Sequence, residues 1–335
     1  MLEHGGRLRE AARRWGIPLA DWLDLSTGIA PEPYPVPPPP AVIWQRLPED
    51  EDGLEAAAGA YYGTHGTTRL LALPGSQAAI QALPRLLGGM NVAVIEPGYG
   101  EYAAAARAAG HAVQPFAAAG LEAACAMADL AILGNPNNPD GVRFTRDRLL
   151  GAARLLAGRC GWLVVDEAFI DAEPAESLAD LAGTGAAENI VVLRSLGKFF
   201  GLAGARVGFV IAAPTLLERL REAIGPWAVA HPARWAARHA LADGAWQAAQ
   251  RERLRAGSAR LGRLLREAGL GDTMGTALFR CAVTPQAVAL HEALARRGVL
   301  VRRFDDPAAL RFGLPATEND WLRLAAALKE IACAA

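Results

Sequence analysis

The chain has 335 residues, 52% of them hydrophobic, and a formal net charge of −1 at pH 7, which is enough for one large domain with a smaller companion or for two domains of ordinary size. The near-neutral balance excludes the electrostatic footprint of a nucleic-acid binder or a polybasic membrane surface and favours a small-molecule partner. Cys125, Cys160, Cys281 and Cys333 form no CxxC or Cys/His cluster, so neither a disulfide framework nor a metal site is expected, and each is read as a buried free thiol.

In chain order, HGGRLREAARRWGIP presents an exposed His4-Gly5-Gly6 and then a short amphipathic helix ending at Gly16 and Pro18. No basic n-region leads into an apolar segment and no apolar run approaches a bilayer span, so a soluble, cytoplasmic protein with no membrane partner is expected. PEPYPVPPPP (31–40) breaks regular structure and reads as a stiff linker in preference to a polyproline ligand. Asp52 with Glu55 three residues later has the capping-box spacing, which makes the acidic run EDED a solvated helix start.

From there to about residue 212, the apolar runs RLLAL, NVAVIEP, HAVQPF, DLAILGN, WLVVDEAF, NIVVLRS and RVGFVIA alternate with helix-length segments. That alternation predicts an α/β fold with a mostly parallel sheet buried between helices. A proline-bounded helix (PTLLERLREAI), a long charged helix from about Trp246 to Ala268, and the strands ALFRCAV, VLVRRF and LRFGL predict a smaller α+β domain. The expected partition is an N-terminal arm and linker over 1–40 associated with the small domain, a large domain over 41–220, and the small domain over 221–335.

In open α/β sheets ligands sit at the carboxyl ends of strands, so the residues that follow each apolar run carry the information. Those are PGSQ, EPGY, NPNNP, DEAF and SLGK in turn. The last holds Lys198, and Lys198 and Lys329 are the two lysines among 34 basic residues. A G/C-biased coding background accounts for the arginines. A lysine kept against that bias points to chemistry that needs an amine able to lose its proton, which arginine cannot do.

A pyridine cofactor bearing an aldehyde and a phosphate accounts for the whole set. Lys198 supplies the nucleophilic amine, and Asp166 the buried carboxylate that keeps the ring nitrogen protonated. Ser76 and Gln77 at a helix start, with Ser195 and Arg206, supply phosphate donors. Asn138 is the donor to the ring oxygen and Tyr99 the aromatic plate. Taken singly each has an ordinary reading as turn, helix start or core; adjacent on a strand, Asp166 and Glu167 face opposite ways, so one of them is an ion-pair partner.

The order GSxx, PxY, NPNNPxG, DEA(Y/F), SLxKxxGLxGxRxG resembles the fold-type I pyridoxal-phosphate enzymes, class I/II aminotransferase superfamily, in the branch that includes histidinol-phosphate aminotransferases. HGG.LREAA, WLDLSTGIAP, EPGYGEY, DEAFID, GPWAVAHPA and VLVRRF...LRFGLP are more similar to the L-threonine O-3-phosphate decarboxylases of cobalamin biosynthesis, from His4 to about Leu328. The resemblance implies a large domain with a mostly parallel sheet plus a smaller α+β domain, pyridoxal 5'-phosphate as cofactor, a small phosphorylated amino acid as substrate, and a homodimer. It implies that Lys198 forms the covalent link to the cofactor and donates the proton at Cα, and that Asp166 holds the pyridinium. Arg311 would take the substrate carboxylate, while His4, Gly5 and Arg302 would surround its phosphate. The decarboxylases commonly carry asparagines in an early S-x-N-I-N-P segment, where Gly28 and Ala30 stand here, which puts a substrate contact at Gly28 in question. Phe169 replaces a common tyrosine and leaves Asn138 alone at the ring oxygen, and Leu47 replaces a tyrosine that reaches the partner subunit.

Decarboxylation of threonine phosphate is therefore the expected reaction. An aminotransferase acting on a phosphorylated amino alcohol such as histidinol phosphate is the rival enzyme. A non-catalytic effector-binding domain of the same fold is the rival from another class, and no GxGxxG follows the first strand to support a nicotinamide enzyme.

Overall fold

The computed structural model describes residues 4–88 and 91–334. Its contacts separate two units, one of Met1–Glu32, Pro139–Gly141 and Gln250–Ala335 (unit 1) and one of Pro33–Asn138 and Val142–Ala249 (unit 2). Strand β1 (Leu23–Asp24) lies in unit 1. Unit 2 holds β2 (Leu70–Leu73), β3 (Asn91–Ile95), β4 (Ala112–Phe116), β5 (Leu130–Gly134), β6 (Trp162–Asp166), β7 (Ile190–Ser195) and β8 (Gly208–Ile211). Unit 1 resumes with β9 (Met274–Thr276), β10 (Phe279–Val283), β11 (Val299–Leu300), β12 (Arg302–Asp305) and β13 (Ala308–Gly313).

The unit 2 strands form one seven-stranded sheet in the order β2-β8-β7-β6-β5-β3-β4. Only β8 is antiparallel to its neighbours; the pairs from β7 to β4 are all parallel. β5 is buried at every residue and β7 at all but its last, as their continuous apolar runs require of strands covered on both faces. β4 is half exposed and contains Pro115, which an edge strand tolerates because one of its sides lacks a ladder. The chain goes from β3 outward to β4 and returns to β5 on the other side of β3, so the strand order reverses between β3 and β5. A crevice opens at the carboxyl ends of strands at such a reversal, and here those ends carry Tyr99 and Asn138.

In unit 1 the helix Leu8–Trp15 ends at Gly16 in the left-handed conformation (φ 67°), a position glycine occupies without steric cost. Its apolar face packs Ala11 with Trp22, Ala295 and Leu300. β1 pairs in parallel with β11, Leu23 opposite Val299, and β12-β13-β10-β9 form a four-stranded antiparallel sheet.

Two expectations are corrected. Cys125 and Cys281 are buried but Cys160 and Cys333 are exposed. The helix Leu54–Tyr62 is capped by Gly53, without a capping box. Asp52 Oδ1 accepts from the Leu54 N–H at 3.0 Å, and Asp52 and Glu55 both bind the buried guanidinium of Arg234, at 2.8 and 2.7 Å. The acidic residues there serve an ion-pair cluster as well as the helix start. The proline segment packs on unit 2, where Tyr34 donates its N–H to Phe200 O and Pro37 O accepts from the Trp235 indole.

Candidate active site

In unit 2 the turn after β2 is shaped for an anion. Gly75 has φ 82° and ψ 157°, backbone that is essentially glycine-only. A Cβ at Gly75 would lie 2.6 Å from Arg206 Nη2, so the missing side chain is the space the guanidinium occupies. The helix Ser76–Leu87 starts at the next residue, and its first main-chain N–H groups and positive dipole end favour negative charge. A Cβ at Gly208 would lie 2.6 Å from Ser76 N, so β8 approaches this turn as closely as backbone allows. Ser195, at the end of β7, is the register partner of Gly208, and its Oγ accepts from Gly197 N–H at 3.3 Å. Ser76, Ser195 and Arg206 thus converge on one turn.

The Gln77 side chain is engaged away from the turn. Its Oε1 accepts from the Tyr99 hydroxyl at 3.1 Å and its Nε2 donates to Glu101 at 3.0 Å. The amide therefore ties the aromatic ring to the helix Glu101–Ala108, and what Gln77 adds to the anion turn is its main chain. Tyr99 stands edge-on to Tyr102, with centroids 5.4 Å apart at 82°. Burial pushes the Tyr99 phenol up to about 12, helped by Glu101 and Asp166 and opposed by Arg206. Asn138 follows β5 and is half-buried. The loop carrying it is held by Asn137, whose Nδ2 donates to Pro97 O at 2.9 Å and so ties the ends of β5 and β3 together.

Asp166 ends β6, is 7% exposed, and keeps both oxygens engaged. The Tyr102 hydroxyl donates to Oδ2 at 2.8 Å and the Ala168 N–H to Oδ1 at 3.0 Å. Burial raises its carboxyl above the ordinary range; those two bonds and the nearby charge of Lys198 pull the other way. The Lys198 ammonium lies 5.3 Å from the centre of the Phe169 ring. Glu167 takes the opposite face, where it receives Arg194 at 2.8 Å, the Ser177 hydroxyl at 2.6 Å and the Leu178 N–H at 2.8 Å. Asp166 is thus left to the site and Glu167 to a buried cluster. Tyr102 and Glu101 escaped the sequence reading; Tyr102 donates its N–H to Tyr99 O at 3.1 Å across the turn that leads into this helix.

Unit 1 gathers a second group. Arg311 on β13 is the direct partner of Arg302 on β12 and of Cys281 on β10. Arg311 is 6% exposed, and its guanidinium donates to Ser26 O at 3.0 Å and lies 5.0 Å from the Phe279 ring centre. Burial, with the charge of Arg302, lowers it to about 10 against the opposing influence of Cys281, so it remains cationic at neutral pH. A pocket of about 110 Å³ is lined by His4, Gly5, Ser26 and Arg302, with Arg7 and His291. The Gly6 N–H donates to Ser26 Oγ at 2.7 Å, and a Cβ at Gly5 would lie 2.3 Å from Ser26 O, so the absence of a side chain at Gly5 is what lets the backbone pack against the bend that follows β1. Gly28 is buried nearby in sequence but does not line the pocket. Among the described residues there is no cluster able to hold a metal ion, and no helix long and apolar enough to cross a membrane.

Comparison with known proteins places these groups in context. The family model for aminotransferase class I and II matches residues 49–331. A threonine-phosphate decarboxylase of Pseudomonas aeruginosa is 54% identical over 328 residues, covering 98% of this chain and 97% of that protein. A threonine-phosphate decarboxylase of a Sinorhizobium species is 44% identical over 334 residues, covering 98% and 97%. The crystal structure of histidinol-phosphate aminotransferase from Sinorhizobium meliloti in complex with pyridoxal-5'-phosphate superposes with a TM-score of 0.83 at 22% identity, covering 99% of this chain and 96% of that one, a likeness of fold.

Proposed function

The chain belongs to the aminotransferase class I and II family, and from that premise we propose that it decarboxylates L-threonine O-3-phosphate to (R)-1-amino-2-propanol O-2-phosphate, with pyridoxal 5'-phosphate as cofactor, in cobalamin biosynthesis. The observation that carries this reading over transamination is the kinship, along nearly the whole chain, with two threonine-phosphate decarboxylases.

The residues present fit the cofactor. The Gly75 turn leaves room for Arg206 beside a helix start, a cradle for a phosphate dianion. Asp166 is a buried carboxylate that stays short of full compensation by its neighbours, the environment that rewards a cationic partner. When bound, pyridoxal phosphate supplies a carbonyl that condenses with amines and a protonated ring that accepts an electron pair.

Around it the chain divides the labour. Ser76, Ser195, Arg206 and the main chain of Gln77 hold the cofactor phosphate. Asp166 keeps a proton on the ring nitrogen, Asn138 donates to the ring oxygen, and Tyr99 covers the ring face. Lys198 holds the cofactor between turnovers and returns a proton to Cα after CO2 departs. Arg311 grips the substrate carboxylate as a fork, and His4, Gly5 and Arg302 receive its phosphate. Holding both anionic ends of the substrate fixes which Cα bond is weakened, so these residues choose decarboxylation over proton removal. The same reading makes the protein a cytoplasmic homodimer.

Purified protein incubated with pyridoxal phosphate and threonine phosphate is assayed separately for CO2 and for keto acid. Release of CO2 without any keto-acid acceptor is expected, and Lys198→Ala abolishes it together with the covalently held cofactor. Keto acid in place of CO2 refutes the proposal.

A further inference from the structure

The ring-facing carboxylate is restrained by a side chain from a different element. Tyr102 sits in the first turn of the helix Glu101–Ala108, is 3% exposed, and gives its hydroxyl hydrogen to Asp166 Oδ2 at 2.8 Å. The other carboxylate oxygen receives the Ala168 N–H at 3.0 Å, so the plane of the Asp166 carboxylate is pinned at both ends. Burial, reinforced by Asp166, drives the Tyr102 phenol well above its ordinary range. It is therefore a neutral donor throughout the working pH range. Its ring is fixed edge-on against Tyr99, a contact phenylalanine would reproduce. The hydroxyl is the part that packing does not require.

A dry carboxylate deprived of a donor is more basic than one that accepts a hydrogen bond. A carboxylate that becomes too basic keeps the proton that the electron-accepting ring needs. We propose that Tyr102 is a positioning residue for Asp166, which fixes the orientation of its carboxylate and tempers its basicity so that the shared proton resides on the cofactor's ring nitrogen. This inference rests on the cofactor reading above.

The test is nitrogen-15 NMR of the full chain reconstituted with pyridoxal phosphate labelled at the ring nitrogen, comparing native protein, Tyr102→Phe, and protein carrying 3,5-difluorotyrosine at position 102. In Tyr102→Phe the ring nitrogen signal is expected to move toward that of the neutral pyridine, and cofactor binding to weaken by about tenfold or more, as for the loss of a hydrogen bond to a charged group. The more acidic fluorinated phenol donates more strongly and should move the signal the opposite way. Should Tyr102→Phe not fold, the fluorinated protein decides alone. An unchanged signal with cofactor bound overturns the role of Tyr102 and leaves the cofactor assignment standing. A native chain that binds no pyridoxal phosphate overturns both.

Discussion

Arg302 and Arg311 stand directly opposite each other on adjacent antiparallel strands, and both guanidinium groups lie against the ring of Phe304, at 5.1 and 5.9 Å. Like charges set opposite on a sheet are destabilising, so this register concentrates positive charge at one place on the unit 1 sheet. Arg302→Leu relieves that repulsion, so it should change the Tm of the ligand-free protein by no more than about 3 °C, while raising KM for threonine phosphate by about tenfold or more. Calorimetry without substrate, together with steady-state kinetics, checks both halves. A lower Tm and an unchanged KM would mean that Arg302 is structural.

Gly75 offers a sharper test of the anion turn. Alanine there must adopt φ 82° and place a methyl carbon 2.6 Å from Arg206 Nη2. The strain costs on the order of 1–3 kcal/mol, and the guanidinium has to swing away from the helix start. Gly75→Ala should therefore lose Tm and bind pyridoxal phosphate at least about tenfold more weakly by fluorescence titration, with inorganic phosphate losing its competition against the cofactor. Equal cofactor affinity in the variant would remove Arg206 from the phosphate site.

Much of this architecture is legible because strand runs and their polar ends are local features. The apolar runs before Ser76, Tyr99, Asn138, Asp166 and Lys198 announce buried parallel strands, and the strand-order reversal then gathers their ends. Pairings between distant segments left no such mark. Nothing in RWAARHA shows that Arg234 is the ligand of Asp52 and Glu55, and the facing of Arg302 with Arg311 depends on a strand register that a one-residue slip would reverse. Gln77 reads as a main-chain phosphate donor from its place at the helix start, and nothing in the sequence tells that its side-chain amide bonds the hydroxyl of Tyr99 and the carboxylate of Glu101.

Behind the site, Arg194 joins Glu167 and Asp171 with all three side chains at most 3% exposed. The Tyr61 hydroxyl adds a 3.0 Å bond to Asp171. Removing the cation leaves two buried carboxylates without the guanidinium they share, a loss of about 3–5 kcal/mol. Arg194→Met should unfold at a markedly lower urea concentration than the native chain, whereas Arg194→Met combined with Glu167→Gln and Asp171→Asn should regain a large part of the difference. If the triple variant is no more stable than the single one, the arginine acts through packing against Tyr62, whose ring centre is 4.5 Å away.

Asp166 ties stability to pH with a definite sign. Its folded-state carboxyl is raised above the ordinary value of 3.8, with burial the leading cause. A raised acid binds its proton more tightly in the folded than in the unfolded chain, so protonation favours folding. The ionised form, present above the folded-state titration, carries the penalty. Asp166→Asn should therefore stabilise the cofactor-free protein at pH 7. The advantage should shrink as pH falls through the folded-state titration of Asp166 and vanish below the ordinary carboxyl range, where native and variant are both uncharged at this position. Bound pyridoxal phosphate reverses the order at pH 7, because the cationic ring is then a partner that only the carboxylate can meet, and ligand binding to the folded state adds stability in proportion to affinity. Thermal unfolding of both proteins across this pH range, with and without cofactor, gives four curves. If the Asp166→Asn variant is the less stable protein at pH 7 without cofactor, the carboxylate is compensated by Tyr102, Ala168 and Lys198 alone and has no need of a cationic ring.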